Sequence, residues 1–305
     1  MQYKTLGDTG LLVSTICFGC MTFNGGAGFW NVIGQVDQAD ADALVRGSVE
    51  AGVNFFDTAD VYSEGESEKT LGQSLKNLGI ARKDVVIATK VFSRIGPGLN
   101  DMGASRGHIM DAVEASLRRL GTDHIDLYQI HGSDAITPIE ETLRALDTLV
   151  QQGKVRYVGA SNWEAWKLSR AITVSELTGF ARFDTLQAYY SIAGRDLERE
   201  FVPMIRHTKT GLLVWSPSRV DCSQANSAAR TRIPKIPAAP SLTSLWWTKN
   251  APGAFSTLCV LSARLTVVRP PALRSPGFYI NQPSRRSSSA PSAPISFRTT
   301  LPLET

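Results

Sequence analysis

The chain of 305 residues is long enough for one α/β barrel of about 250 residues, and its net charge of +4 is unevenly distributed. Residues 1–217 hold 21 lysines and arginines against 26 acidic residues, whereas residues 218–305 hold 11 basic residues and two acidic ones. The basic balance therefore belongs to the C-terminal part, and it gives no indication of nucleic-acid binding by the rest. Four cysteines are too few for a disulfide scaffold of this length.

The N-terminus and the hydropathy pattern indicate a soluble, cytoplasmic protein. Residues 1–5 contain no apolar run of the kind that a secretory signal peptide needs. No stretch approaches the roughly 18 consecutive apolar residues of a membrane helix, so we expect no membrane partner. Nothing in the sequence indicates an oligomeric state.

The chain begins with patterns that predict a β-hairpin and then a first barrel strand. Residues 2–6 and 11–13 flank a Gly-Asp-Thr-Gly turn, and a hairpin there could plug the floor of a barrel. The candidate strand over residues 13–19 runs into Cys17-Phe18-Gly19-Cys20, which has C-x-x-C spacing. No second cysteine pair accompanies it for zinc, so we interpret both cysteines as small buried residues.

Residues 24–30 form a glycine-rich segment without the lysine and serine or threonine that end a phosphate-binding loop. Two interpretations stay open. The segment is either a mobile loop at the barrel mouth, with Phe29 and Trp30 as pocket walls, or a surface loop whose aromatic side chains fold back.

Six further apolar runs alternate with helical patterns, and this alternation predicts a parallel sheet with helices outside. The predicted strands cover residues 53–59, 85–91, 125–131, 155–161, 185–191 and 212–215. Apolar residues recur at helical spacing between them, and Pro138 and Gly153 mark the start and the end of one such helix. We expect a (β/α)8 barrel. A doubly wound sheet is disfavoured because no G-x-G-x-x-G turn follows the first strand.

The composition changes abruptly after Pro217. Residues 218–305 contain 11 of the 15 prolines, together with runs of serine and arginine, and they show no helical period. We therefore divide the chain into a barrel domain, residues 1–217, and an atypical tail, residues 218–305. The tail is either a disordered extension or the product of a shifted reading frame.

The tail bears on how the barrel closes. Its best candidate for an eighth strand is residues 265–268, and no convincing helix accompanies it. We therefore expect the last βα units to be missing or replaced by the Pro/Ser/Arg-rich tail. A barrel that lacks one strand has two open edges.

Four polar residues stand at or just beyond the ends of successive predicted strands: Asp57, Tyr62, Lys90 and His131. Each alone has an ordinary explanation, such as a turn cap or a solvated strand end. An apolar parallel strand gains nothing from ending in a charge, however, and barrel enzymes keep their chemistry at the carboxyl ends of the strands. Together the four predict one catalytic group. No cluster of histidine, cysteine and acidic residues has ligand spacing, so we expect no metal.

These four side chains suit the reduction of a carbonyl group by hydride. Charge develops on the carbonyl oxygen, so a proton donor must lie within hydrogen-bond distance. A tyrosine has an ordinary pKa of about 10, and a nearby ammonium group lowers that pKa. We therefore expect Lys90 to lower the pKa of Tyr62, Asp57 to keep Lys90 charged and oriented, and His131 to direct the carbonyl.

The later strands end in neutral amides and an aromatic ring. Asn162 and Gln187 could bind the carboxamide of a nicotinamide, and Trp215 could stack on its ring. Strand ends that pair only with the backbone are the alternative interpretation.

Longer motifs resemble the aldo-keto reductases, in the branch that includes bacterial oxidoreductases and potassium-channel β subunits. Residues 52–62 read Gly-Val-Asn-Phe-Phe-Asp-Thr-Ala-Asp-Val-Tyr, and residues 123–131 read Asp-His-Ile-Asp-Leu-Tyr-Gln-Ile-His. Residues 88–90, 154–162 and 186–191 continue the match, which covers residues 1–217. The resemblance implies a barrel enzyme that reduces aldehydes or ketones without a metal. It implies Tyr62 as general acid, Lys90 and Asp57 as the residues that tune its pKa, and His131 as the group that orients the carbonyl.

The resemblance also implies a cofactor, NADP(H), with NAD not excluded. It assigns Ser161, Asn162 and Gln187 to the nicotinamide amide, Trp215 to the ring and Ser216 to the pyrophosphate. In this family the adenosine 2′-phosphate is usually held after the eighth strand, and no such segment follows Pro217. The preference for NADP therefore rests on the resemblance.

Three functional hypotheses follow. The first is a reductase of small carbonyl compounds, or a dehydrogenase of the corresponding alcohols. The second is a regulatory subunit that binds NADPH, senses the redox state and turns over slowly. The third is an inactive product of a shifted reading frame.

Overall fold

The structure is a computed structural model that describes residues 1–26, 28–191 and 194–217, together with the backbone of residues 264–267. All of these belong to the unit formed by residues 1–270. The predicted tail, residues 218–305, otherwise lies outside the described residues. The domain boundary at residue 217 therefore stays a prediction.

The described chain begins with the predicted hairpin. Strand β1 (Tyr3–Thr5) pairs antiparallel with β2 (Leu12–Ser14). Leu6 and Val13 are fully buried and pack against residues inside the barrel, so the predicted plug is confirmed. The predicted strand over residues 13–19 is split, because the Thr15 N–H turns to the hairpin and donates to the carbonyl of Gln2.

Seven parallel strands then follow one another around the barrel, and they confirm the predicted α/β barrel fold. Each pairs with the next along the chain. They are β3 (Ile16–Gly19), β4 (Phe55–Asp57), β5 (Val86–Val91), β6 (Ile125–Ile130), β7 (Val155–Ser161), β8 (Phe183–Tyr189) and β9 (Gly211–Trp215).

An eighth strand, β10 (Arg264–Val267), closes the ring. Thr266 stands opposite Ile16 of β3 and Val214 of β9, and both pairings are antiparallel. The expectation of two open edges is therefore wrong, because this one strand pairs through its backbone with both β3 and β9. Its position agrees with the candidate strand at 265–268, whose last residue lies outside the described residues.

Helices follow the strands as the alternation predicts. They are α1 (Phe29–Ile33), α2 (Gln38–Glu50), α3 (Glu66–Asn77), α4 (Arg106–Leu120), α5 (Ile139–Gln151), α6 (Ala165–Thr178) and α7 (Phe201–Thr208). Helix α1 replaces the end of the loop predicted over residues 24–30. Within the described ranges, no helix is both long enough and apolar enough to cross a membrane.

Two apolar cores result from the alternation of side chains along the strands. Phe55 and Leu127 face the barrel interior, whereas their neighbours Phe56 and Tyr128 pack under the helices. The interior cluster fills the floor, where the hairpin covers it. Cys17 belongs to it and Cys20 to the outer core, and both are fully buried free thiols, as the sequence indicates.

The contact between hairpin and barrel generates a stability prediction. Gly7 has a φ of 61°, and a Cβ there would lie 2.6 Å from the carbonyl oxygen of Asp184 and 2.8 Å from the nitrogen of Gly211. Gly7→Ala should therefore lower the free energy of unfolding by about 2 kcal/mol. Gly10→Ala is the matched control, since nothing lies within 4 Å of its Cβ position. Equal urea midpoints for the two variants would contradict this account.

Candidate active site

A buried ion pair lies at the carboxyl ends of β4 and β5. The Nζ atom of Lys90 donates to Oδ2 of Asp57 at 2.5 Å and to the carbonyl oxygen of Thr58 at 2.8 Å. Lys90 is fully buried and Asp57 is 3% exposed. Burial alone would lower the pKa of Lys90, but the Asp57 carboxylate reverses this effect, and the pKa lies above its ordinary value. Lys90 therefore stays charged inside the barrel.

Tyr62 reaches the same group from the turn that follows β4. Its hydroxyl oxygen accepts a hydrogen bond from Lys90 Nζ at 3.2 Å. The 3-10 turn Tyr62–Gly65 contains Ser63 and Glu64 at φ values of 49° and 58°, a left-handed conformation that is uncommon outside glycine. The Ser63 hydroxyl donates to the carbonyl of Phe23 at 3.0 Å, which helps to hold this turn in place. Such strain is characteristic of functional sites.

The sequence prediction for the pKa of Tyr62 is wrong in its net direction. Burial raises the pKa of Tyr62 above its ordinary value, and the lowering effect of Lys90 does not overcome it. Tyr62 is therefore protonated at neutral pH, the state that a proton donor requires.

His131 directly follows β6 and stands beside Tyr62. The two rings meet edge to face with centroids 5.7 Å apart. Burial, helped by the charge of Lys90, lowers the pKa of His131 to about 3, so the imidazole is neutral. Its Nδ1 atom is buried and has no hydrogen-bond partner among the described residues. The structure thus brings all four predicted catalytic residues together.

The residues predicted to bind a nicotinamide lie next to this group. Gln187 is 3% exposed, and its Nε2 atom donates to Asp57 Oδ1 at 3.0 Å. Asn162 Nδ2 donates to Ser161 Oγ at 3.1 Å and to the carbonyl of His131 at 3.2 Å. Trp215 Nε1 donates to Asn162 Oδ1 at 3.1 Å. Four of the five residues are thus connected to the catalytic group, while Ser216 follows Trp215 with a φ of 54°.

Comparisons with known proteins agree with this geometry. A family model described as the aldo/keto reductase family matches residues 15–224. The chain belongs to the aldo/keto reductase family. It is 40% identical over 219 residues to a protein of Arabidopsis thaliana named "Probable voltage-gated potassium channel subunit beta". The aligned region covers 71% of this chain and 64% of that protein.

An enzyme is also among the relatives. The chain is 38% identical over 235 residues to versiconal hemiacetal acetate reductase of Aspergillus parasiticus, across 71% of this chain and 67% of the reductase. The channel-subunit relative is matched over less than two thirds of its own length.

Aldo/keto reductases use a nicotinamide cofactor, and the side chains present fit one end of it. A carboxamide needs both acceptors and donors. Gln187 donates from Nε2 to Asp57 Oδ1, and its Oε1 atom is the acceptor that it would offer to the carboxamide. Ser161 supplies a hydroxyl, and the Asn162 amide would give up one of its two donated hydrogen bonds to meet the carboxamide. Trp215 is 38% exposed and therefore offers a ring face for stacking.

Sequence reasoning missed one contributor to the site of this aldo/keto reductase, the side chain of Gln129. Gln129 donates from Nε2 to Asp57 Oδ1 at 3.1 Å and is fully buried. It stands two residues before His131, so strand alternation places both side chains on the inner face and could have revealed it. Trp30 of α1 lies with its ring centroid 5.9 Å from that of Tyr62, which supports the interpretation of Trp30 as a pocket wall.

A second buried polar group lies behind the strands, between them and α3. Glu68 accepts from Arg119 Nε at 2.6 Å and from Thr89 Oγ1 at 2.5 Å. Asp60 is 1% exposed, and neither of its carboxyl oxygens has a partner among the described residues. Burial raises the pKa of Asp60 to about 8, and the charge of Glu68 acts in the same direction. Asp60 is therefore largely protonated at neutral pH.

The ion pair yields a double-mutant prediction. Asp57→Ala leaves Lys90 as an unpaired buried charge and should lower the free energy of unfolding by about 3–5 kcal/mol. Asp57→Ala combined with Lys90→Met should lose clearly less than the sum of the two single changes. Urea unfolding followed by tryptophan fluorescence measures all four proteins. Additive losses would show that the two side chains do not act as a pair.

Asp60 yields a pH prediction. A folded-state pKa of about 8 against an ordinary 3.8 means that the unfolded chain releases this proton first. The stability that protonated Asp60 contributes is complete below about pH 4 and is lost as the pH rises towards 8. The free energy of unfolding of Asp60→Asn, minus that of the unsubstituted chain, should therefore increase as the pH is raised from 5 to about 8.5. The exposed control Asp111→Asn should run parallel to the unsubstituted chain across this range. An Asp60→Asn curve of the same shape would refute the assignment.

Proposed function

We propose that this chain is an NAD(P)H-dependent oxidoreductase that reduces a small aldehyde or ketone to an alcohol, or catalyses the reverse reaction. The carrying observation is the contact of Tyr62 with a lysine that is both charged and fully buried. Membership of the aldo/keto reductase family and similarity to a named reductase support the same activity.

The bound cofactor supplies the hydride. Gln187, Ser161 and Asn162 would hold its carboxamide and Trp215 its ring, with Ser216 at the pyrophosphate. The preference for NADP over NAD rests on family resemblance, because the residues expected to meet the adenosine phosphate lie outside the described ranges.

Tyr62 carries the proton that the reaction needs. Because its pKa is raised, the hydroxyl is protonated when the carbonyl arrives, and it donates to the oxygen as negative charge develops there. The ammonium of Lys90 then stabilises the phenolate that remains. Neutral His131 donates a second hydrogen bond and fixes the direction of the carbonyl, while Trp30 limits the space beside Tyr62.

A regulatory subunit is the second candidate, and similarity to a protein named as a channel subunit supports it. Such a subunit would bind the same cofactor but release its oxidised form slowly. A burst of one NADPH oxidised per chain, followed by much slower steady turnover, favours this role. Steady turnover without a burst favours the enzyme.

The setting of this activity is part of the proposal. We expect a cytoplasmic protein whose partner is a small carbonyl or alcohol substrate. Residues 1–217 would form the catalytic domain.

Tyr62→Phe tests the proposal directly. Loss of the proton donor should lower kcat for aldehyde reduction by about 10²–10⁴-fold. The Kd for NADPH, measured by quenching of tryptophan fluorescence, should stay within about twofold. Tyr3→Phe is the matched control, because it removes a tyrosine hydroxyl from the N-terminal hairpin. This variant should keep the full rate. An unchanged rate in Tyr62→Phe would rule out the assigned proton donor.

A further inference from the structure

Gln129 is an unusual residue for its position. It points into the barrel from β6 at a level just above Leu127, where the interior of such barrels is normally filled by branched apolar side chains. The side chain is fully buried, and its Oε1 atom has no hydrogen-bond partner among the described residues. An unpaired buried amide oxygen opposes folding, so packing alone would favour leucine here.

Among the described residues, the single side-chain hydrogen bond of Gln129 goes to the catalytic carboxylate. Its Nε2 atom donates to Asp57 Oδ1 at 3.1 Å, and Gln187 donates to the same oxygen at 3.0 Å. The other oxygen, Oδ2, faces Lys90 at 2.5 Å. The two amides therefore fix the plane of the carboxylate, and the carboxylate in turn fixes the ammonium that contacts Tyr62.

The two glutamines are not equivalent. Gln187 is itself one of the residues proposed to hold the cofactor amide, which gives it a second task. The Gln129 side chain is fully buried and hydrogen-bonds to Asp57, without a proposed contact to the cofactor. Its space is kept open by Gly159 of β7, where a Cβ would lie 3.1 Å from Gln129 Cγ and 2.2 Å from Thr185 Oγ1.

We propose that Gln129 is a positioning residue, which orients Asp57 and through it the Lys90 ammonium against the Tyr62 hydroxyl. This inference rests on the proposed function for its effect on rate, but the positioning itself is a property of the structure. In this role Gln129 acts through Asp57, the one side chain to which it donates a hydrogen bond.

The test begins with geometry. Crystal structures of the full chain and of Gln129→Leu should show the Lys90 Nζ–Tyr62 OH distance lengthen beyond 3.5 Å in the variant. Thr185→Val is the matched control, because Thr185 Oγ1 is also a buried atom and makes no hydrogen bond to Asp57 or to any other described residue. The control should leave the contact unchanged. An unchanged Asp57–Lys90–Tyr62 geometry in Gln129→Leu overturns the proposal. Gln129→Met replaces the leucine variant if that variant does not fold.

Kinetics then measure the effect of the same change. In Gln129→Leu, kcat should fall about tenfold, while KM for the carbonyl and the Kd for NADPH stay within twofold. Gln129→Glu adds a readout that a packing role would not move. Protonated glutamic acid can still donate to Asp57, whereas ionised glutamate repels it, so activity should fall with rising pH more steeply than in the unsubstituted chain. A Gln129→Glu profile of unchanged shape overturns the proposal.

The two proposals fail separately. If the unsubstituted chain reduces no carbonyl but the Lys90–Tyr62 contact lengthens in Gln129→Leu, the proposed activity is wrong and the positioning role stands. If the chain is active and the Lys90–Tyr62 contact is unchanged in Gln129→Leu, the positioning role is wrong and the proposed activity stands.

Discussion

The ion pair of Lys90 and Asp57 is the interaction on which the rest of the site depends. Two charges taken out of water cost several kcal/mol each, and only close contact and additional hydrogen bonds offset that cost. The structure supplies both, since the ammonium also donates to a backbone carbonyl and the carboxylate accepts from two amides. Because these partners come from β4, β5, β6 and β8, the charges can be buried only when the strands curl into a barrel.

This arrangement separates stability from chemistry along the barrel axis. The floor is apolar and plugged by the hairpin, whereas the next level on the same inner faces is polar. Backbone strain follows the same division. Six of the seven non-glycine residues with positive φ in the described part lie at the carboxyl side of the strands, and only Lys209 precedes a strand. The apolar floor supplies stability that offsets the strain at the mouth.

Much of this could be predicted from the sequence because the signals are local. The alternation of strands and helices predicts seven strands, and polar residues at or just beyond the strand ends mark the four catalytic candidates. The pKa of Tyr62 could not be predicted correctly, because its sign depends on how much burial outweighs Lys90. The antiparallel direction of β10 was equally hidden, since four residues of strand pattern carry no orientation. The inward position of Gln129 could in principle be predicted, but only once it was known which residues of β6 face the barrel interior.

The complete burial of the Lys90 amine has a chemical consequence. Acylating reagents and enzymes attack an uncharged amine that they can reach, and in the folded chain this one is neither uncharged nor reachable. Covalent labelling of Lys90 therefore requires the barrel to open, at least locally. The labelling rate of Lys90, measured by mass spectrometry beside that of an exposed lysine such as Lys83, therefore reports how often the barrel interior opens.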